Sequence, residues 1–336
     1  MPTAASSSST IEFKDVELAR QKYYVKSQET SKKRWKCILI TCAILFSLEI
    51  LLLFIGPFKQ SNFFATSFTF LIILIISVIM FEAIFVSIIV LLATHKDSGI
   101  IAKYRIDYER AYKGFFIHRQ LAKLFTDLHY DHTLGLNKNI LESSGLIYTG
   151  DIYKSNDLVV AKYKNTNFTQ ADVEIIEKRE RRDSDGNTEV YYVTVFKGRY
   201  LVFEFPKKFD FKMVVSYGSP GINYINPKTG RELSRIETES PDFNKRFLVY
   251  AEDGFEAFYI LNPDFLYKLE QLGEKYENAL SLYFSNNKLY VGLNDNNDAF
   301  EPPNPTEPLN EKTETERVIN DMKLITDLVD NLKLSK

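Results

Sequence analysis

Two apolar runs dominate the first third of the chain. Cys37 to Phe58 stays apolar for 22 residues with one charge, Glu49, and Phe63 to Ala93 for 31 residues with one charge, Glu82. At about 1.5 Å of rise per residue, each is long enough to cross the hydrocarbon core of a bilayer. The pattern predicts a transmembrane helical hairpin over 37–94, with spans 37–58 and 63–94 broken at Gly56-Pro57. The second span exceeds the requirement, so it must tilt or protrude. The first run starts too far from the N-terminus, and is too long, for a cleavable signal peptide.

Beyond the hairpin the period changes. Residues 1–36 form a polar N-terminal segment that becomes a charged helix from residue 10. Residues 95–144 read as a helical connector, with Ile101, Tyr104, Tyr108, Tyr112, Phe115 and Leu121 near helical spacing. From Gly145 short runs rich in Val, Tyr, Phe and Ile take over: Leu158–Tyr163, Asp172–Arg179, Glu189–Phe196, Tyr200–Phe205, Lys212–Tyr217 and Phe247–Glu252. Asp185-Gly186, Lys197-Gly198, Pro220-Gly221 and Asp253-Gly254 read as turns between them. Phe255–Ile260 and Pro263–Tyr276 read as helices, the second capped by Asn262. Leu280–Phe284 and Lys288–Leu293 make a closing hairpin around Asn286-Asn287. The fold class is therefore α+β, with a mostly antiparallel sheet domain at 145–300. A proline-rich linker, 301–313, leads to an amphipathic helix at 314–334. In that helix Val318, Met322, Ile325, Val329 and Leu332 step by 4, 3, 4 and 3. A seam this short needs a surface, either the protein's own domain or a partner helix.

Charge orients the hairpin. Residues 14–36 carry eight Lys and Arg and residues 95–113 carry five, whereas the connection between the spans carries one, Lys59. The positive-inside rule places both termini and the 95–336 region in the cytosol of a cell-membrane protein. Trp35 suits the membrane interface. The formal net charge is −2 over 336 residues, which leaves no basic field to support nucleic acid as a partner. Membrane lipid is the first partner expected. Cys37 and Cys42 are the only cysteines, so no disulfide framework or thiolate metal site is expected in the large domain.

Three groups of residues are candidates for chemistry. Glu49 and Glu82 lie 12 residues from Cys37 and Thr94, or about 18 Å at helical rise. At one depth they would share a proton or bind a cation. Otherwise they form an interhelical hydrogen bond that fixes register. The run Asp127-Leu-His129-Tyr-Asp131-His132 alternates acid and imidazole as zinc ligands do, but no histidine lies downstream to complete a set. It reads as a helix-exit loop, and neither metal nor cofactor is assigned. The third group, Lys178-Arg179-Glu180-Arg181-Arg182, reads as a solvated hairpin tip. Phosphate-binding glycine loops and a nucleophile elbow are absent from the sequence, so no enzymatic activity is assigned.

The segments LHYDHTLGLNKNILESSGLIYTGDIYKSNDLVVAKY (128–163), VFKGRYLVFEF (195–205), ESPDFNKRFLVYAEDGFEAFYILNPDFLYKL (239–269) and YFSNNKLYVGL (283–293) resemble a bacterial family of unknown function, number 3137. The resemblance runs from about Tyr104 to Pro302. It implies a two-span membrane protein with one cytosolic domain, and it makes Phe196-Lys197-Gly198 a sheet turn. It transfers no catalytic residue. Some members of the family occur beside LemA-type membrane proteins, so a membrane-protein partner, or self-association, is expected. The function that follows is a membrane-anchored cytosolic interaction or scaffold module. The alternative is an oligomeric proton- or cation-coupled component built on Glu49 and Glu82.

Overall fold

The computed structural model describes residues 11–55, the helical positions 75, 78, 79, 81, 82, 85 and 88, and residues 99–144, 146–182, 188–206, 208–217 and 232–334. For 44–46 and 48–55 the description is limited to the backbone. The chain divides into two units, Met1–Phe115 with Pro302–Leu309, and Phe116–Glu301 with Asn310–Lys336.

Among the described residues of the first unit, two helices pair. α1 (Phe13–Ile55) is continuous for 43 residues, roughly 65 Å at helical rise. α2 covers 99–112 and passes into a π-helical turn, Lys113–Ile117. The ring of Phe13 lies 6.1 Å from that of Phe115, and Tyr23 stacks on Tyr108 at 6.2 Å. Contacts that advance along α1 while retreating along α2 make the pair antiparallel. The sequence expected one regular helix here. The π turn falls at Gly114, where an added Cβ would sit 2.7 Å from Ile11 Cδ1. The proline-rich segment, expected as a linker, straps this pair. Arg20 donates to the Pro305 carbonyl, Tyr108 Oη donates to Pro303 O at 3.2 Å, and Leu309 N–H donates to Glu17 Oε2 at 3.3 Å. Among the described residues no helix is long and apolar enough to cross a membrane. The interior of the first apolar run and most of the second lie outside the described side chains.

The second unit is a nine-stranded sheet, antiparallel at every pairing among the described residues, in the order β1-β2-β3-β4-β9-β8-β5-β7-β6. The strands are β1 (Thr126–Asp131), β2 (Ile152–Tyr163), β3 (Thr166–Arg182), β4 (Thr188–Glu204), β5 (Met213–Tyr217), β6 (Ser234–Ile236), β7 (Phe247–Ala251), β8 (Leu280–Ser285) and β9 (Lys288–Leu293). The helices are α3 (His118–Leu124), α4 (Lys138–Glu142), α5 (Pro241–Arg246), α6 (Gly254–Ile260), α7 (Pro263–Lys275) and α8 (Glu311–Asn331).

Local chemistry explains several boundaries. Asn262 accepts from Phe265 N–H at 3.1 Å to start α7, and Asn310 caps α8 through Lys312 and Thr313. Asn286 and Asn287 both take positive φ, 53° and 58°, as a two-residue hairpin turn requires.

Two expectations for the sheet differ from what forms. The stretches expected as separate strands, Glu189–Phe196 and Tyr200–Phe205, merge into the single strand Thr188–Glu204, and Phe196-Lys197-Gly198 is not a turn but lies within β4. A Cβ on Gly198 would lie 2.0 Å from Leu293 O, so the glycine serves close approach of β9 rather than reversal. The Asp127–His132 segment is not a helix-exit loop, because Thr126–Asp131 is edge strand β1.

Strand alternation puts Ala171, Val173, Tyr200, Val202, Tyr283 and Tyr290 into one apolar cluster with Leu141 and Leu146. On the opposite face lie Phe168, Gln170 and Asp172, and α8 contacts α3 and α7. Val318, Met322, Ile325, Val329 and Leu332 are all buried, between 0% and 5% exposed. The heptad seam is therefore spent within the chain and is not open to a partner helix. Arg199 of β4 donates to the Asp321 carbonyl of α8, and Lys164 pairs with Asp330 at 2.9 Å.

Candidate functional site

The chemistry in the sheet unit collects where β2 bends. The register between β2 and β3 slips between Asn156 and Val159, and Asp157 takes a left-handed φ of 56° with its side chain fully buried. A β-bulge of this kind re-aims a side chain. Asp157 Oδ1 accepts from Tyr130 Oη at 2.7 Å, and its Oδ2 accepts from Asn156 Nδ2 at 2.8 Å. Carboxylate oxygens of Asp157, Asp298 and Glu301 lie within 4.8 Å of one another. Asp298 is exposed and Glu301 is half-buried, so the centre opens to solvent on one side. Phe300 between them is buried at a left-handed φ of 64°, with its ring 6.4 Å from Tyr130.

Burial, and the Asp157 carboxylate beside it, push the Tyr130 hydroxyl far above its ordinary pKa. It remains a neutral donor. Asp172 and Glu301 act in the same direction. Asp172 is buried on β3, opposite Asn156 on one side and Arg199 on the other. The buried Arg199 also lies 3.9 Å from Asp295. Arg317 donates to the Glu301 carbonyl at 2.7 Å and to Glu314 at 3.1 Å. Burial raises the pKa of Asp321, while Arg199 and Arg317 oppose that rise. Three convergent carboxylates without an imidazole form a hard-oxygen set, suited to a divalent cation such as calcium or magnesium or to a shared proton.

The residues singled out by sequence fall elsewhere. Asp127 pairs with Lys162 at 3.2 Å. Asp131 accepts from the Thr133 N–H and hydroxyl at 2.8 and 2.7 Å, which lowers its pKa. Neither of these acids, nor His129 or His132, belongs to the carboxylate centre. Glu49 lies in α1, but its side chain is outside the described residues. Glu82 is helical and half-buried. The sequence carries no local sign of the Asp157–Asp298–Glu301 group, because their contact depends on a bulge and on approach across more than a hundred residues. Of the three, only Asp157 stands in a segment that carries the family resemblance, 128–163.

Residues 194–334 match the family described as "Protein of unknown function (DUF3137)". No curated protein matches the chain. Among solved structures, the crystal structure of the mycobacterial trehalose monomycolate transport factor A, TtfA, aligns over 66% of this chain and 94% of that one. It shares 8% identity at a TM-score of 0.34, a level at which the likeness carries no argument. The match reaches through α8, farther than the quoted segments, and starts inside β4 rather than near Tyr104. Residues 194–334 are thus similar to the DUF3137 family, the one that segments 195–205, 239–269 and 283–293 led us to expect.

Proposed function

We propose that this chain is a membrane-anchored interaction module, with its sheet unit held on the cytosolic side by a hairpin of two spans at 37–58 and 63–94. The observation that carries the reading is an inverted pattern of exposure. Ile75, Ile79, Phe81, Phe85 and Ile88 are 38–69% exposed at helical positions, and Leu39 and Ile40 of α1 are at least 60% exposed, while Glu82 is turned partly inward. Water opposes such an arrangement and lipid favours it. The antiparallel pairing of α1 with α2 supports the same reading, since the chain then leaves for the apolar runs and returns from them at one end of the paired segments. The excess of Lys and Arg on both flanks sets the orientation.

Cysteine labelling tests this. In a Cys37→Ser, Cys42→Ser background, a membrane-impermeant maleimide on intact cells should label Lys59→Cys. It should label Thr306→Cys only after permeabilisation. Release of the protein from membranes by alkaline carbonate, or labelling of position 306 from outside, would refute the anchor.

The half-buried position of Glu82 favours a second reading, in which Glu49 and Glu82 couple a proton or cation across an oligomer. Proton flux in liposomes should then fall when both are changed to Gln, and unchanged flux would reduce them to structural groups.

A further inference from the structure

The sheet carries an arm. β2 pairs with β3 only as far as Ile176, and β9 pairs with β4 only over Arg199–Glu204. Beyond those limits β3 and β4 continue as a two-stranded ribbon, from the Glu177–Val193 pair to the Arg182–Thr188 pair. Six residues of strand extend it about 20 Å. An edge strand normally protects itself with lysine, proline or shortness. The exposed edge of β4 does the opposite. Thr188–Val195 reads Thr-Glu-Val-Tyr-Tyr-Val-Thr-Val, with Glu189 its sole charge. Val190, Tyr191 and Tyr192 are 44%, 41% and 60% exposed.

The backbone on that edge can be followed residue by residue. Lys178 N–H donates to Asp151 Oδ2 at 2.7 Å, and Ile176 O accepts from Asp151 N–H at 3.0 Å. Both groups therefore point away from β4. In an antiparallel pair, a residue whose N–H and C=O point away faces a partner that does the same. Lys178 faces Tyr192 and Ile176 faces Thr194, so Tyr192 and Thr194, and by alternation Val190, point outward. Nearer the sheet the edge is closed, since Lys197 N–H donates to Asn294 Oδ1 at 3.0 Å and Lys197 O accepts from Asn296 N–H at 2.9 Å. Among the described residues no strand pairs with Thr188–Thr194 on its outer side.

We infer that this edge pairs with the same edge of a second copy, antiparallel, about a two-fold axis at Tyr192. An edge with Glu189 as its sole charge can meet its own copy without opposing like charges. A two-fold normal to one sheet keeps each residue on its own face, so the numbers of paired residues must sum to an even value. With the axis at Tyr192, the outward residues meet only one another: Val190 with Thr194 of the second copy, Tyr192 with Tyr192, and Thr194 with Val190. Three such pairs make six backbone hydrogen bonds. Glu189 falls opposite Val195, so no like charges oppose. The overlap ends at Lys197, where Asn294 and Asn296 already close the edge. The pairing does not depend on the membrane reading, although an anchor would raise the local concentration of copies.

Disulfide trapping in the full chain tests it. In the Cys37→Ser, Cys42→Ser background, Tyr192→Cys places two sulfur-bearing positions with Cα atoms about 5.5 Å apart, within disulfide range. Thr188→Cys places its two copies about 27 Å apart along the strands. Under mild oxidation, covalent homodimer should form at 192 in excess over 188 by on the order of tenfold or more. Adding Val190→Pro should abolish it, since that N–H points outward and is not needed by β3. Absence of homodimer at 192 with the chain folded would overturn the inference. So would equal trapping at 188, or capture of a different protein at 192.

Discussion

Tyr130 on edge strand β1 donates its hydroxyl to a buried carboxylate, Asp157, at 2.7 Å, and Asp157 is held there by a left-handed backbone in a β2 bulge. A local irregularity thus joins two strands and brings Asp157 to Asp298 and Glu301. Tyr130→Phe removes the donor and leaves a buried carboxylate oxygen short of a hydrogen bond. The expected loss is about 1–3 kcal/mol in urea unfolding. Loss of less than a few tenths would mean that Asn156 and solvent satisfy the acid without Tyr130.

Buried tyrosines shape the alkaline side of the pH dependence. Burial raises the pKa of Tyr130, Tyr153, Tyr200, Tyr276, Tyr283 and Tyr290, with Tyr153 pushed up to about 12. The unfolded chain releases these protons near pH 10, while the folded chain retains them. Their contribution to stability is therefore complete below that pH and declines as pH rises through the folded values. Thermal melts should show a steep alkaline fall in Tm beginning near pH 10. Tyr153→Phe should make that fall shallower.

The order and type of most elements were legible in the sequence, because alternation in β5, β7, β8 and β9 and the asparagine cap of α7 are local signals, whereas the Asn310 cap of α8 lay inside the stretch read as linker. The two halves of β4 were not read as one strand, because Lys197-Gly198 has the composition of a turn. Only its contact with Leu293, nearly a hundred residues later, shows otherwise. Of the carboxylate centre, Tyr130 and Asp157 stood in quoted segments, but nothing within either segment reveals that they meet.

Gly198→Ala should be costly for that reason. The new methyl would lie 2.0 Å from Leu293 O and 2.9 Å from Asp295 Oδ1, at a φ of 150°. Backbone must separate at the β4–β9 junction. The expected destabilisation is on the order of 2–4 kcal/mol, with faster amide exchange at Tyr290–Leu293 than at the distant β5–β7 pair. Uniform exchange across the sheet would contradict a local wedge.

Arg199 ties the same junction to α8 through the Asp321 carbonyl. Its guanidinium is buried and lies 3.9 Å from Asp295. Arg199→Ala should loosen α8 first, by about 2–3 kcal/mol. Hydrogen exchange at Val318–Ile325 would rise before that of β8 and β9. Equal acceleration in all three would mean that Arg199 supports the whole sheet rather than the helix.

The seam of α8 gives the sharpest contrast. Ile325 is fully buried and Ile319, on the same helix, is 41% exposed. If the seam served a partner, Ile325→Asp would leave the isolated chain stable and abolish binding alone. The burial of Val318, Met322, Ile325, Val329 and Leu332 requires the opposite. A carboxylate at 325 enters an apolar interior without a counter-ion and loses the packing of an isoleucine. Each contribution is several kcal/mol, comparable with a domain's whole stability. Ile325→Asp should therefore abolish the cooperative unfolding transition. Ile319→Asp should shift it by less than about 0.5 kcal/mol. A stable, cooperatively folding Ile325→Asp chain would show that α8 does not need its seam to hold the sheet, and the seam would then be free for another surface.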